Sequence, residues 1–214
     1  MYQPPHFRED DLAVQHSLIR AHPLGFLVTL SPSGLVANAV PFVLDAGEGE
    51  RGTLRCHVAR ANPVWKEFDA RHEALVIFSG IERYITPSWY ATKRDSGKVV
   101  PTWNYATVHA YGPLTVQDDR DWLARNVAEL TAQQEGARAE PWQVSDAPDE
   151  FIAAQLRGIV GLEIPISRLE GKWKMSQNRN AADREGVIVG LSAEDDETAV
   201  AMAALVTERS AGKS

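Results

Sequence analysis

The sequence lacks the features of several protein classes. Its 214 residues include one cysteine, Cys56, so no disulfide can form within the chain. No apolar run approaches the roughly 18 residues of a membrane-spanning helix, and the acidic N-terminus is unlike a signal peptide. These absences predict a cytoplasmic protein that does not enter a membrane. Apolar residues make up 44% and charged residues 24% of the chain, which is typical of a globular protein, and the length favours a single domain over residues 1–214.

The sequence is equally poor in motifs of catalysis and metal binding. Its six histidines show no i, i+4 pair and no zinc spacing with cysteine or carboxylates, so no metal ligand is predicted. Neither a G-x-S-x-G elbow nor a Walker A sequence occurs. The run 47–52 matches G-x-G-x-x-G, but strand-like segments flank it on both sides and its two glutamates would repel a pyrophosphate. No catalytic residue is identified.

The charge is unevenly distributed along the chain. The first 112 residues hold 11 basic and 11 acidic residues, and the rest hold 11 basic and 18 acidic ones, which accounts for the net charge of −7. An acidic chain is poorly suited to nonspecific binding of duplex DNA, which depends on lysine and arginine. The segment Lys172–Arg179 is a local exception, with three cations and no anion. It is either a solvated basic loop or a small anion site.

Strand-like and helical patterns divide between the two halves of the chain. Short or alternating apolar runs predict barrel strands mainly within 24–112 and again within 159–175. Helical periodicity predicts additions over 118–158 and 178–210. The whole pattern predicts an α+β protein built on an antiparallel, barrel-like sheet.

Several local predictions are finer. Apolar spacing predicts a first helix over 9–22, and the polar stretch 92–97 is expected to be a loop. Asn62 and Pro63 suit the N-cap and the first position of a helix. Ser192 is expected to be the N-cap of the last helix, because it is the first residue of a capping-box pattern.

Two clusters of residues suggest binding chemistry. In the first, His57–Lys66, a strand end leads into a helix start, where backbone amides favour an anion and Arg60 would add charge. The alternative is an ordinary capped helix with surface cations. In the second cluster, aromatic and polar residues occur together over 85–90 and 100–105, which suits the binding of a flat, polar ring system. The alternative there is core packing.

Taken together, five segments resemble the PaiB-type family, the FMN-binding negative transcriptional regulators. The segments are Met1–Phe7, His57–Pro63, Tyr84–Tyr90, Val100–Tyr105 and Gly171–Arg179 (GKWKMSQNR). Each segment alone is weak evidence, but five in this order, spread over residues 1–191, are specific.

The resemblance implies the fold, the cofactor and the assembly. The fold is expected to be a split β-barrel related to flavin reductases and pyridoxamine-phosphate oxidases, and the assembly a homodimer that holds FMN between its subunits. The flavin phosphate is expected near Arg60 and Asn62, with Lys66 as a second contact, and the ring on the strand Val40–Phe42. The full set of residues that the resemblance assigns to the cofactor is Val40, Pro41, Phe42, His57, Arg60, Asn62, Lys66, Ser88, Trp89, Thr102, Trp103, Asn104, Trp173, Gln177 and Arg179.

One position departs from the family pattern and bears on the choice of function. Where the family often has histidine before the Pro-Phe pair, this chain has Asn38, which cannot act as an acid or base near pH 7. The resemblance favours a flavin-dependent regulator or redox sensor. The alternative is an oxidoreductase that uses NAD(P)H, for which His57 and His109 are the nominated acid–base groups. Direct DNA binding has weak support, because the sequence shows no basic recognition helix and its helical half is acidic.

Overall fold

The structure is a computed structural model, and it describes residues 1–211. The described residues contain ten strands and seven α-helices. The strands are β1 (Arg8–Glu9), β2 (Leu24–Ser31), β3 (Gly34–Pro41), β4 (Val43–Asp45), β5 (Thr53–Ala59), β6 (Ala74–Ile85), β7 (Thr102–Gly112), β8 (Thr115–Gln117), β9 (Ile159–Pro165) and β10 (Arg168–Lys174). The helices are α1 (Leu12–Ala21), α2 (Val64–Glu67), α3 (Thr92–Ser96), α4 (Arg120–Glu135), α5 (Asp149–Arg157), α6 (Ala181–Ser192) and α7 (Glu197–Ala211).

The strands form two sheets. The first has six strands in the order β1-β10-β7-β6-β2-β3, and the second has four in the order β4-β5-β9-β8. Pairing within β2–β3, β5–β9 and β8–β9 is antiparallel. None of the described helices has both the length and the apolar character needed to cross a membrane.

The chain divides into two compact units. Unit 1 comprises Met1–Asp11, Ser79–Thr107 and the described residues from Glu170 onward, and unit 2 comprises Leu12–Phe78 and Val108–Leu169. Strands β6, β7 and β10 each pass from one unit into the other along the chain. The single domain expected over residues 1–214 stays a prediction.

In unit 2, the β2–β3 hairpin forms because a polar turn separates two apolar runs. Gly34 has φ +110°, a conformation that only glycine adopts without strain, and it lies where the turn enters β3. Gly25 is buried on β2, where a Cβ would come within 2.7 Å of Val76 and 2.8 Å of Phe78. Strand β3 is the last in its sheet, and an edge position suits Pro41, which has no N–H to donate to a further strand.

The second sheet, also in unit 2, is covered by α4. Asp119 caps this helix by accepting a hydrogen bond from the Trp122 backbone N–H at 2.8 Å. The indole of Trp122 lies over Gly161 of β9, where a Cβ would be 2.7 Å from Cε3 of the ring and closer still to Cζ3. Glycine at this position therefore allows the helix to approach the sheet closely.

In unit 1, α6 packs against α7 and against the turn that contains Trp89. Met202 of α7 is fully buried. Asp183, in the first turn of α6, accepts hydrogen bonds from the backbone N–H of Thr92 at 2.8 Å and from its hydroxyl at 2.9 Å. Since Trp89 also lies against Gly190, α6 fixes the segment that joins β6 to β7 at two points.

Two expected boundaries in the N-terminal half are wrong. The first helix begins at Leu12, because Arg8 and Glu9 are extended and pair with β10 instead. The stretch expected as a loop contains helix α3, whose C-cap Gly97 has φ +65° and ends it in the left-handed conformation. Polar composition alone does not separate such a short helix from a loop.

The expected start of the last helix is also wrong. Ser192 is the final residue of α6, not a cap, because the buried Leu191 extends the apolar face of α6 through its last turn. Helix α7 starts at Glu197, and Asp196 caps it by accepting a hydrogen bond from the Ala199 N–H at 2.9 Å. The acidic run therefore indicates the start of the helix to within a few residues, but it does not identify the capping residue.

Candidate functional site

In unit 2, the first predicted cluster lies where β5 ends and α2 begins. The Oδ1 of Asn62 accepts a hydrogen bond from the Val64 N–H at 3.0 Å, although α2 begins at Val64 and has Pro63 at its N-cap position, one residue later than predicted. Its Nδ2 donates to Asn38 Oδ1 at 3.0 Å, which ties this turn to β3. The Nδ2 of Asn38 is buried and has no hydrogen-bond partner among the described residues. An unsatisfied buried amide costs about 1–3 kcal/mol, so Asn38 is suited to donate to a ligand.

The Arg60 guanidinium is engaged by protein groups. It pairs with both carboxylate oxygens of Asp118 and donates to the carbonyl oxygens of Arg157 and Ile159 at 2.9 Å each. The hydrogen bonds between the two side chains raise the pKa of Arg60 and lower the pKa of Asp118. A phosphate bound at Arg60 would have to displace Asp118.

Helix α2 is a single turn of four residues, so its dipole is weaker than a full helix would supply. The Lys66 side chain is exposed, and its Nζ lies 4.4 Å from the centre of the Trp65 ring. The indole N–H of Trp65 donates to the Arg60 carbonyl at 3.0 Å. In this cluster Asp118 compensates the charge of Arg60, whereas Lys66 contacts only an aromatic ring, and the role of the cluster in binding stays a prediction.

The other predicted residues of unit 2 lie on strands except Phe42, which lies between β3 and β4, so the expected strand Val40–Phe42 ends at Pro41. Val40 and Phe42 are buried, whereas Pro41 is exposed, so the side chains of this short run alternate between two environments. The Nδ1 of His57 lies 3.0 Å from Oδ1 of Asn126, a buried residue of α4. The ring of His57 is thus oriented by a helix rather than by the capped turn.

In unit 1, the predicted late segment forms a tight turn after β10. The Gln177 side chain closes this turn: its Nε2 donates to the Trp173 carbonyl at 2.7 Å, and its Oε1 accepts from the Met175 N–H at 2.6 Å. Ser176, between them, is the one non-glycine residue with a positive φ (63°) in the described chain. The Gln177 amide is therefore used to shape the backbone, and Trp173 is buried beside it.

The predicted residues of β7 meet this turn. The ammonium group of Lys174 donates to the Thr102 hydroxyl at 2.6 Å and to the Trp103 carbonyl. The amide of Asn104, which is fully buried, exchanges hydrogen bonds of 3.1 Å with the Ser176 hydroxyl. Thr102, Trp103 and Asn104 are thus brought together with the segment that follows β10.

The predicted residues of the turn after β6 take different roles. Ser88 is exposed and accepts a hydrogen bond from Lys93 Nζ at 3.1 Å. Trp89 is packed against α6, as the core-packing alternative proposed. The neighbouring Tyr90 is buried, its hydroxyl has no hydrogen-bond partner in the described chain, and the Arg179 guanidinium lies 4.5 Å from its ring centre.

The surroundings of Lys174, at the end of β10, are cationic. Burial lowers the pKa of Lys174, and the nearby charges of Lys172 and Arg179 lower it further. Burial raises the pKa of Tyr90, against the opposing effect of Arg179. An anion placed among these groups would relieve the repulsion between the cations.

Four residues that the geometry brings to these clusters are absent from the set assigned to the cofactor, although Asn38 was noted as a departure from the family pattern and the other three lie in segments that suggested binding chemistry. They are Asn38, Tyr90, Lys174 and Ser176. The alternation Lys172-Trp173-Lys174 was a usable signal, because residues i and i+2 of a strand point to the same face. The unsatisfied amide and hydroxyl had no signal in the sequence, since their isolation depends on residues that are distant along the chain.

The fold and these clusters define the class of protein. The two antiparallel sheets, with helices concentrated in the C-terminal half, form the α+β split β-barrel that the sequence predicts. Among solved structures, the flavocytochrome Anf3 from Azotobacter vinelandii is similar in fold, with a TM-score of 0.57 at 13% identity, covering 91% of this chain and 75% of that one.

The family follows from the sequence comparisons. Residues 1–168 match the family described as "Putative FMN-binding domain", and the chain belongs to this family. The "Protease synthase and sporulation protein PAI 2" of Bacillus subtilis is 30% identical over 209 residues, covering 98% of each chain. An uncharacterised protein of Emericella nidulans is 36% identical over 244 residues, covering 98% of this chain and 97% of its own. These findings confirm the predicted family and its cofactor, FMN.

Proposed function

We propose that this protein is a flavin-dependent regulator or redox sensor that binds FMN through the surface of unit 1 around Trp103. This side chain is 52% exposed, and its ring meets that of Tyr84 edge to face at 5.9 Å. An indole supported on one side and open on the other suits stacking of a flat ring. The backbone carbonyl of Trp103 accepts a hydrogen bond from the Lys174 ammonium group, so the aromatic surface lies beside a cation.

The residues of unit 1 fit the two ends of FMN. The open indole of Trp103 offers a platform for the ring system, and the cations of the late segment offer charge for the phosphate. The buried, unpartnered hydroxyl of Tyr90 can donate to a further acceptor. Bound FMN supplies electron-transfer chemistry that amino-acid side chains lack, while the protein binds and orients it.

The regulatory part of the proposal has two supports. The Bacillus subtilis relative is named for sporulation, a cellular programme. In this chain, one of the two histidines nominated for acid–base chemistry, His57, is hydrogen-bonded to a buried asparagine. In a regulator of this kind, a change in the redox state of the flavin would alter the binding of a partner or the assembly of the protein.

The first experiment measures flavin retention. Purified protein is mixed with FMN, freed of excess, and its absorbance is recorded from 300 to 550 nm. We expect a flavin band in the wild type, a weaker band in Trp103→Ala, and an unchanged band in the matched control Trp142→Ala, which removes another half-exposed indole. No band in the wild type refutes the proposal. Bleaching by NADH or NADPH without oxygen would favour the oxidoreductase alternative.

We also propose that the protein is a homodimer that uses the outer face of β2 and β3. On this face Leu35 is 78% exposed, Leu24 59% and Phe26 47%. The register pairs Leu24 with Pro41 and Phe26 with Ala39, so the cross-strand neighbours are apolar as well. Burying each such large side chain contributes about 1.5–3 kcal/mol, and a second copy of the face offers a matching apolar surface.

A further inference from the structure

Three cations of unit 1 lie on β10 or just after it, and the charges of the outer two both act on the middle one. Lys172, Lys174 and Arg179 form no ion pair with any carboxylate of the described residues. The carboxylates near them are occupied elsewhere. Glu170 pairs with the N-terminal amine, Glu9 pairs with Arg209, and Asp183 accepts from Thr92 and Asn180.

Lys174 is the centre of this cation cluster. It is half-buried, and its two protein acceptors, the Thr102 hydroxyl and the Trp103 carbonyl, are both uncharged. An ammonium group has three N–H donors, so one remains after these two bonds. Keeping a charge half-buried beside two like charges is unfavourable unless an anion compensates it.

The two outer cations are held by aromatic rings. The Nζ of Lys172 lies 5.3 Å from the ring centre of Tyr105 and 5.7 Å from that of Tyr2. The guanidinium of Arg179 lies over Tyr90 at 4.5 Å. Contacts with ring faces position a cation but leave its charge uncompensated. Both outer cations are therefore positioned and still able to bind an anion.

We propose that Lys172, Lys174 and Arg179 form a site for a phosphate monoester. Such a group carries about −1.5 to −2 charges at pH 7 and three acceptor oxygens, which matches three donor-bearing cations. Arg179 can bind two oxygens at once, whereas the lysines act as point charges. The inference rests on the proposed function, because the phosphate of FMN is the expected occupant. Inorganic phosphate or another phosphomonoester has the same chemistry.

The test compares FMN with riboflavin, which lacks the phosphate. Dissociation constants are measured by flavin fluorescence for the wild type, for Lys174→Met and Arg179→Gln, and for the matched control Lys98→Met, an exposed lysine of unit 1 outside the cluster. We expect the wild type and the control to prefer FMN at least tenfold. Each cluster variant should lose at least tenfold in FMN affinity while its riboflavin affinity stays unchanged.

Two results would overturn the proposal even if flavin binds. One is equal affinity of the wild type for FMN and riboflavin, and the other is an undiminished FMN preference in both cluster variants. If no flavin binds, the melting temperature in inorganic phosphate decides. A phosphate-dependent rise that is present in the wild type and lost in Lys174→Met supports the site without the flavin, and the absence of any rise in the wild type refutes it.

Discussion

The contact between Gly190 and Trp89 predicts a mutation whose effect changes sign with its background. A Cβ at position 190 would lie 2.5 Å from Cγ of the indole and closer still to two other ring carbons. Overpacking of this kind costs about 1–3 kcal/mol. Without the indole, alanine in place of glycine stabilises a helix interior by about 1 kcal/mol.

We therefore expect Gly190→Ala to lower the free energy of unfolding by up to about 2 kcal/mol in the wild type. In a Trp89→Ala background the same substitution should raise it by about 0.5–1 kcal/mol. The coupling energy between the two positions is then about 1–3 kcal/mol. It measures how much of the Trp89 surface is used to hold α6.

The assay is urea unfolding of the four proteins, followed by far-ultraviolet circular dichroism, with the m-value as a check that the transition is unchanged. A Gly190→Ala substitution that stabilises the wild type and the Trp89→Ala protein alike would refute the reasoning. That result would mean that the indole lies away from the helix and is free to line a pocket, as the family resemblance suggested.

Three further predictions test the assembly and the two cation clusters. Leu35→Glu should place a charge on the apolar face of β2 and β3 and convert the dimer to a monomer in sedimentation velocity, whereas a dimer that persists would locate the interface elsewhere. Asp118→Asn should free the Arg60 guanidinium without changing the affinity for FMN, because Lys174 is proposed to hold the phosphate. A gain in FMN affinity would instead assign the phosphate to Arg60. The pKa of Lys174 is lowered from 10.5 in the folded protein. Between the lowered pKa and 10.5, the unfolded chain therefore binds more protons than the folded protein does, and the free energy of unfolding of the wild type should rise with pH relative to that of Lys174→Met. A stability difference independent of pH would show that Lys174 is not perturbed.

The fold was predictable to the extent that it depends on local patterns. Short apolar runs and turn residues placed most strands correctly within 24–112 and 159–175, and helical periodicity placed α4 and α5 within 118–158. The errors lie where a distant partner decides the structure. Arg8 and Glu9 are extended because they pair with β10, more than 150 residues later, and no pattern in the first ten residues carries that information.

The two cationic stretches show the same limit at the candidate site. In the sequence, Arg60 and Lys174 look alike, since each belongs to a basic segment beside a tryptophan. The structure separates them by what faces each side chain. Asp118, 58 residues from Arg60, binds both ends of its guanidinium, while Lys174 meets a hydroxyl and a carbonyl. A cation that already has a carboxylate gains little from binding a phosphate, because the pair must first be broken. A half-buried ammonium group with neutral partners and two like-charged neighbours breaks no ion pair when it binds a phosphate, so it gains the full electrostatic attraction. For this reason we propose the cluster around Lys174 as the anion site, rather than the segment around Arg60 to which the family resemblance assigns the phosphate.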